Sequence, residues 1–120
     1  MKVIIAGSRT ITDYKLLEET IKYSEFEITE VVCGKARGVD TLGEEWAKNN
    51  NIKISYFPAK WDLYGKSAGY IRNKEMVDYA EALLVLWDGD SKGTKNTIEL
   101  ASKKNMKFVV YNLKDNTYSS

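Results

Sequence analysis

The sequence predicts an α/β protein, a three-layer Rossmann-like sandwich around a five-stranded parallel sheet. Short apolar runs alternate with amphipathic helical patterns along the chain, and no hairpin signal separates consecutive runs. Apolar runs of this kind between helices indicate strands that are covered on both faces, as in parallel sheets. By analogy with doubly wound folds and with right-handed crossovers, we expect the strand order 3-2-1-4-5.

Each element follows from its own pattern. In order along the chain, we predict a strand at 3–6, a helix at 14–24, a strand at 31–33, a helix at 39–49, a strand at 52–57, a helix at 68–80, a strand at 82–87, a helix at 94–104 and a strand at 107–111. The strands are apolar runs, and the run at 82–87 is the most apolar. The helices carry stripes at spacings of three and four, such as Val39, Leu42 and Trp46.

Size and composition set limits on organisation and chemistry. A chain of 120 residues predicts a single domain, which we place at 1–114, with a frayed tail at 115–120. Without histidine and with one cysteine, Cys33, the chain has no Ser-His-Asp triad, Cys-His dyad, histidine-bound zinc or iron–sulfur cluster. We therefore expect no metal site.

Charge and targeting signals narrow the partners. A net charge of +1 argues against a duplex-DNA-coating protein. The N-terminal apolar run is too short for a signal peptide or a membrane span, so we expect a cytoplasmic protein without a membrane partner. Fourteen aromatic residues (3 Trp, 8 Tyr and 3 Phe) leave apolar surface to spare, which favours a homodimer or a larger homo-oligomer.

Glycines and arginines point to a ligand site at one end of the sheet. Seven of the eight glycines, and the three arginines Arg9, Arg37 and Arg72, fall after predicted strands or at the start of the following helix. Ligands of doubly wound sheets bind at this end, where glycine lets backbone amides approach an anion and arginine offers a planar fork. The alternative is that the arginines are ordinary surface residues in exposed loops.

Several polar and aromatic side chains near this end have two interpretations each. Arg72 and Asn73 lie on the inward stripe of their helix, so their partners are either a ligand or backbone carbonyls of a neighbouring loop. Asp40 either complements a helix dipole, holds a ribose hydroxyl or orients an arginine. Trp61 and Tyr64 either stack on a base, cap the core or form a dimer contact.

At these residues the sequence resembles the SLOG superfamily, the Rossmannoid group that includes the LOG (lonely guy) phosphoribohydrolases and DprA, and in particular its YspA-like branch of bacteria and phages. The matching features are Gly7-Ser8-Arg9, Gly34-x-Ala36-x-Gly38-Val39-Asp40, Trp61, Ala68-Gly69, Arg72-Asn73 with Met76, Asp88-Gly89 and Ser91-Lys92-Gly93-Thr94. The resemblance implies that a nucleotide or nucleotide-derived ligand binds at these loops.

One departure from the family concerns catalysis. The LOG enzymes place a catalytic glutamate three residues after the threonine of a Gly-Thr loop, and here that position is Thr97. Glu99 lies roughly 200° further round the helix, at 3.6 residues per turn. The sequence therefore favours a binding protein over an enzyme. In an enzyme, the candidate catalytic residues would be Asp40 and Asp88.

We predict a protein that binds a small nucleotide-like ligand as a sensor or a sequestering protein, with no cofactor assigned beyond that ligand. The predicted ligand-binding residues are Gly7, Ser8, Arg9, Gly34, Arg37, Gly38, Asp40, Arg72, Asn73, Asp88, Ser91, Gly93 and Thr94. Two alternatives are a LOG-like hydrolase that cleaves the N-glycosidic bond of a nucleotide and a DprA-like module that binds single-stranded nucleic acid.

Overall fold

The computed structural model describes residues 1–120 and contains six strands and five α-helices. The strands are β1 (Lys2–Gly7), β2 (Glu30–Cys33), β3 (Lys53–Tyr56), β4 (Ala82–Trp87), β5 (Lys107–Asn112) and β6 (Thr117–Ser119). The helices are α1 (Tyr14–Ser24), α2 (Val39–Asn49), α3 (Trp61–Tyr64), α4 (Ala68–Tyr79) and α5 (Lys92–Lys103), with a 3₁₀ turn at Gly65–Ser67. None of the helices combines the length and apolar character that a membrane crossing requires.

The sheet has the order β3-β2-β1-β4-β5-β6. Its first five strands pair in parallel, which confirms the predicted α/β class and the order of those strands. The predicted strand number is wrong, because β6 pairs antiparallel with β5 and makes a sixth strand. The central pair is β1 and β4, joined in register from Val3–Ala82 to Gly7–Leu86.

Side chains of the central strands alternate between two apolar layers. Val3 and Ile5 of β1 belong to one buried cluster, whereas Ile4 and Ala6 belong to the other. The first cluster includes residues of α1 and α2, and the second includes residues of α4 and α5. The sheet is thus covered on both faces, which is why its strands read as continuous apolar runs.

Aromatic packing explains the sixth strand. It lies within the segment 115–120, for which we expected fraying. The Tyr118 ring stacks on Tyr23 of α1 with centroids 3.9 Å apart and meets the edge of Tyr111 of β5 at 4.7 Å. The Tyr118 hydroxyl also lies 3.3 Å from the Thr20 hydroxyl oxygen. A single tail aromatic therefore anchors the strand to both the sheet and a helix.

Helix α3 and the start of α5 are the main differences from the prediction at the end of the sheet where the ligand site is expected. Residues 61–64, within a stretch predicted as loop, form the one-turn helix α3, in which the Leu63 and Tyr64 amides donate to the Lys60 carbonyl at 3.0 Å. Helix α5 starts at Lys92, two residues before the predicted residue 94. The Ser91 carbonyl accepts from the Lys95 amide at 3.1 Å and so already belongs to its first turn.

The contact between α2 and β1 gives a test of the packing. A Cβ on Gly43 would lie 2.8 Å from Ile5 Cγ2, closer than real side chains pack. We expect Gly43→Ala to lower the free energy of unfolding by about 1–2 kcal/mol in urea denaturation, because overpacking outweighs the gain in helix propensity.

Gly93→Ala is the matched control, since a Cβ there has no neighbour within 4 Å. It should leave stability unchanged or raise it by up to about 1 kcal/mol. If both alanine variants had the same stability, the close approach of α2 to the sheet would be wrong.

Candidate functional site

Two adjoining depressions lie at the carboxyl ends of β1, β2 and β4. The inner pocket, about 80 Å³, is enclosed by the loop after β1, by α4 and by the start of α5. The outer groove, about 250 Å³, lies between the loop after β2 and the start of α3. Arg9, Ala36 and Arg72 line both, so the two depressions adjoin, and together they are called the cleft.

The loops after β1 and β4 are tied together beneath the inner pocket. The Ser8 amide donates to the Leu86 carbonyl at 3.1 Å, and the Asp88 amide donates to Ser8 Oγ at 3.0 Å. A Cβ on Gly7 would lie 2.0 Å from the Leu86 carbonyl oxygen. Gly38, with φ +72°, leaves only 2.4 Å between such an atom and the Ser8 carbonyl oxygen. These residues shape the cleft by close backbone approach.

Asp88 organises the turn that leads into α5. Its Oδ1 accepts from the Asp90 and Ser91 amides, both at 2.8 Å. The hydrogen bond from the Asp90 amide, supported by those from Ser91 and Ser8, holds the pKa of Asp88 below its usual value. With Oδ1 engaged by two amides, Asp88 acts on the shape of the turn and does not line the cleft.

The start of α5 presents polar groups to the inner pocket. Ser91, Gly93 and Thr94 line the pocket, and the Ser91 and Thr94 hydroxyl oxygens lie 3.1 Å apart. The amides of a first helical turn have no intrahelical acceptor, and the helix dipole adds positive potential there. This end of the pocket therefore suits an anionic group.

Arg72 and Asn73 of α4 connect neighbouring segments of the site, and both donate hydrogen bonds to backbone carbonyls. An Nη1 proton of Arg72 is donated to the Gly34 carbonyl, and Arg72 Nε donates to Asn73 Oδ1 at 3.0 Å. Asn73 Nδ2 donates to the Gly93 carbonyl at 3.3 Å and to Asn96 Oδ1 at 3.1 Å. Arg72 and Asn73 thus link the loop after β2 to the start of α5, and both line the inner pocket.

Asp40 is a buried carboxylate in an otherwise positive site. It is 6% exposed, and its Oδ2 accepts from the Ala36 amide at 3.0 Å. Its Oδ1 accepts no hydrogen bond from the protein, and the residue lines the inner pocket. Burial raises the pKa of Asp40 to about 6, against the lowering effects of the Ala36 amide, Arg72 and Arg9. Asp40 thus faces the pocket with acceptor capacity unused.

Gly34 makes this arrangement possible. A Cβ there would lie 2.8 Å from Arg72 Nη1 and 3.0 Å from Asp40 Oδ2. Any side chain at position 34 would therefore displace the Arg72 guanidinium or the Asp40 carboxylate. Glycine stands at this position because these two groups occupy the space that a side chain would need.

The arginines of the cleft carry unbalanced positive charge. All five salt bridges of the protein use lysine, and none involves Arg9, Arg37 or Arg72. Burial, together with repulsion from Arg9, lowers the pKa of Arg72, an effect that Asp40 opposes. A guanidinium stays protonated in proteins, so the cleft keeps its positive charge at neutral pH.

The structure brings most of the predicted site residues together. Eight of them line the inner pocket: Gly7, Arg9, Asp40, Arg72, Asn73, Ser91, Gly93 and Thr94. Gly34 and Arg37 line the outer groove. Ser8, Gly38 and Asp88 line neither depression and support the loops behind them. Ligand binding by these residues stays a prediction.

Several residues that line the cleft are outside the predicted set of ligand-binding residues, although base stacking is one of the interpretations given for Trp61. Ala36, Met76 and Thr97 line the inner pocket, and Pro58 and Trp61 line the outer groove. Met76 and Thr97 each lie one helical turn after a predicted site residue, which is the signal that locates them. The Thr97 hydroxyl donates to the Gly93 carbonyl at 3.2 Å, so it is engaged with backbone.

The raised pKa of Asp40 predicts a pH dependence of stability. The pKa of the Asp40 carboxyl is 3.8 in the unfolded chain and about 6 in the folded protein. Between these two pH values the folded state binds more protons than the unfolded state. The free energy of unfolding therefore falls as the pH rises from about 4 to about 6. Asn at this position does not titrate. The free energy of unfolding of the wild type minus that of Asp40→Asn should fall, by on the order of 3 kcal/mol, and level off above the folded pKa.

Urea denaturation of both proteins between about pH 4 and pH 8 measures this difference, because contributions from other groups cancel. A difference that stays constant or rises with pH would contradict the burial of Asp40 as a charged group in the cleft.

Comparisons with known proteins agree with this architecture. The model of the YspA, cpYpsA-related SLOG family matches residues 1–64. The Gene 61 protein of Mycobacterium phage D29 is 33% identical over 112 residues, covering 85% of this chain and 89% of the phage protein. The crystal structure of DNA processing protein A (DprA) from Streptococcus pneumoniae superposes with a TM-score of 0.73 at 21% identity, over 91% of this chain.

This chain spans 49% of the length of the DprA structure, so the likeness concerns the shared fold. The family match covers more than half of the chain, and the phage relative extends it across both halves of the sheet. The chain belongs to the YspA, cpYpsA-related SLOG family.

Proposed function

We propose that this protein binds a nucleotide or a nucleotide-derived ligand, with an anionic phosphate in the inner pocket. The observation that carries the proposal is that Arg9 and Arg72, neither of which forms a salt bridge, line one small pocket together with the first turn of α5. Arginine forks and free helix amides are the groups that proteins use for phosphate. Membership of the SLOG family supports a role in binding nucleotides or nucleic acids in general.

Asp40 indicates which uncharged group of the ligand would lie beside the phosphate. A carboxylate repels phosphate, so its free oxygen suits a hydroxyl or N–H donor beside the phosphate. Sugar hydroxyls of a nucleotide supply such donors. Asn73, whose amide already bridges Gly93 and Asn96, fixes the wall against which that sugar would rest.

The same carboxyl supports a second candidate, hydrolysis of the N-glycosidic bond of the bound nucleotide. A carboxyl with a pKa raised to about 6 suits general acid or base chemistry near neutral pH. Thr97, at the position of the LOG glutamate, donates to backbone and offers no carboxylate. Asp40 would therefore have to carry the proton transfer.

Titration with ribose 5-phosphate tests phosphate binding directly, since this compound has the phosphate and sugar without a base. We expect a saturating increase in melting temperature through preferential binding to the folded state. Arg9→Ala should weaken binding about tenfold or more, because a charge-assisted hydrogen bond contributes about 1.5–3 kcal/mol.

Lys15→Ala removes the same charge from the exposed face of α1 and should leave the affinity unchanged. The proposal fails if no sugar phosphate raises the melting temperature at millimolar concentration, or if both alanine variants weaken binding equally. Free adenine released from AMP in the same samples, and lost in Asp40→Asn, would identify the hydrolase. An affinity found only for oligonucleotides, falling steeply with salt, would identify a nucleic-acid module.

A further inference from the structure

We propose that the outer groove is a subsite for the planar base of the nucleotide, which stacks on Trp61. This inference rests on the proposed function, because the phosphate in the inner pocket places the rest of the ligand. It assigns a role to α3, the short helix that the pattern of the sequence does not predict.

The Trp61 ring lines the groove and packs against no other aromatic ring of the protein. The residue is 53% exposed. Its indole N–H donates to no protein acceptor, whereas the indole of Trp87 donates to the Ser91 carbonyl at 3.1 Å. A large apolar ring left in water beside a positive groove gains by covering its face with another flat ring.

One edge of the Trp61 ring lies next to α4. A Cβ on Gly69 would lie 3.5 Å from Trp61 Cη2, an ordinary contact distance, so the tip of the indole is close to the helix. More than half of the side chain stays exposed, and Trp61 lines the groove.

The groove carries charge that complements a nucleotide. Arg37 lines it without a salt bridge or a side-chain hydrogen bond, and Arg9 and Arg72 form its boundary with the inner pocket. Lys35 also lines it, but its ammonium is engaged by Glu44 at 3.2 Å and by the Tyr56 ring at 4.8 Å. Arg37 is therefore a groove cation without a partner in the protein, and arginine stacks on rings as well as binding phosphate.

The small size of the inner pocket favours a ligand that extends into this groove. The inner pocket of about 80 Å³ lies well below the roughly 300–1,000 Å³ of typical small-molecule sites. The outer groove of about 250 Å³ adjoins it along Arg9, Ala36 and Arg72. A nucleoside attached to a phosphate in the inner pocket would therefore have the outer groove beside it, and Trp61 lines that groove.

The test compares AMP with ribose 5-phosphate, which differ by the base, in calorimetric titrations of four proteins. On the wild type, AMP should bind about tenfold or more tightly than ribose 5-phosphate, as expected for one stacked base. Trp61→Ala should abolish this ratio without changing the affinity for ribose 5-phosphate, and Trp61→Phe should restore most of it.

Tyr70→Ala is the matched control, because Tyr70 is 50% exposed on α4 and does not line the groove. It should keep the wild-type ratio. AMP should also quench tryptophan fluorescence in the wild type and much less in Trp61→Phe, a change that loss of fold stability does not mimic.

Each outcome separates the two proposals. If both compounds bind with equal affinity and Arg9→Ala weakens both, phosphate binding holds and the base subsite is overturned. A ratio that survives in Trp61→Ala also overturns it, as does an acidic peptide that binds the groove more tightly than AMP. If neither compound binds, both proposals are wrong.

Discussion

The cleft depends on one constraint, the position of β1 between β2 and β4 in a parallel sheet. The chain leaves β1 toward one face and leaves β4 toward the other, so the loops after these strands diverge and open a crevice. The hydrogen bond from the Asp88 amide to Ser8 Oγ holds the two loops together at its base. The residues that line the inner pocket come from the ends of β1, β2 and β4 and the segments that follow them, and from α4, which covers one face of this sheet.

The charged side chains are distributed differently at the cleft and over the rest of the protein. All salt bridges of the protein are formed by lysines, while the arginines gather without salt bridges at the carboxyl ends of the strands. Two buried carboxylates show the contrast. Glu30 opposes its burial with hydrogen bonds from Ser55 and Tyr79 and with Lys53, which together hold its pKa below the usual value. Asp40 has one amide, and burial raises its pKa. Of these two buried carboxylates, the one with fewer hydrogen-bond donors is Asp40, which lines the cleft.

Local patterns were sufficient for the five parallel strands and for most residues that line the cleft, because apolar runs and helical stripes are dictated by burial on both faces. Arg72 and Asn73 could be located by counting back from Met76 on the inward stripe of α4. Three features of the structure were not predicted from the sequence, each for a physical reason. Strand β6 depends on Tyr118 meeting Tyr23, which is distant in the chain. Helix α3 is a single turn with no periodicity to detect. The supporting roles of Ser8 and Asp88 depend on backbone contacts that no spacing reveals.

The central claim is that the inner pocket receives a phosphate, and a crystal structure of the protein with AMP tests it most directly. The account predicts phosphate density between Arg9, Arg72 and the first turn of α5, with a sugar hydroxyl on the free oxygen of Asp40. AMP bound away from the cleft at saturation, with the inner pocket holding solvent, would contradict it.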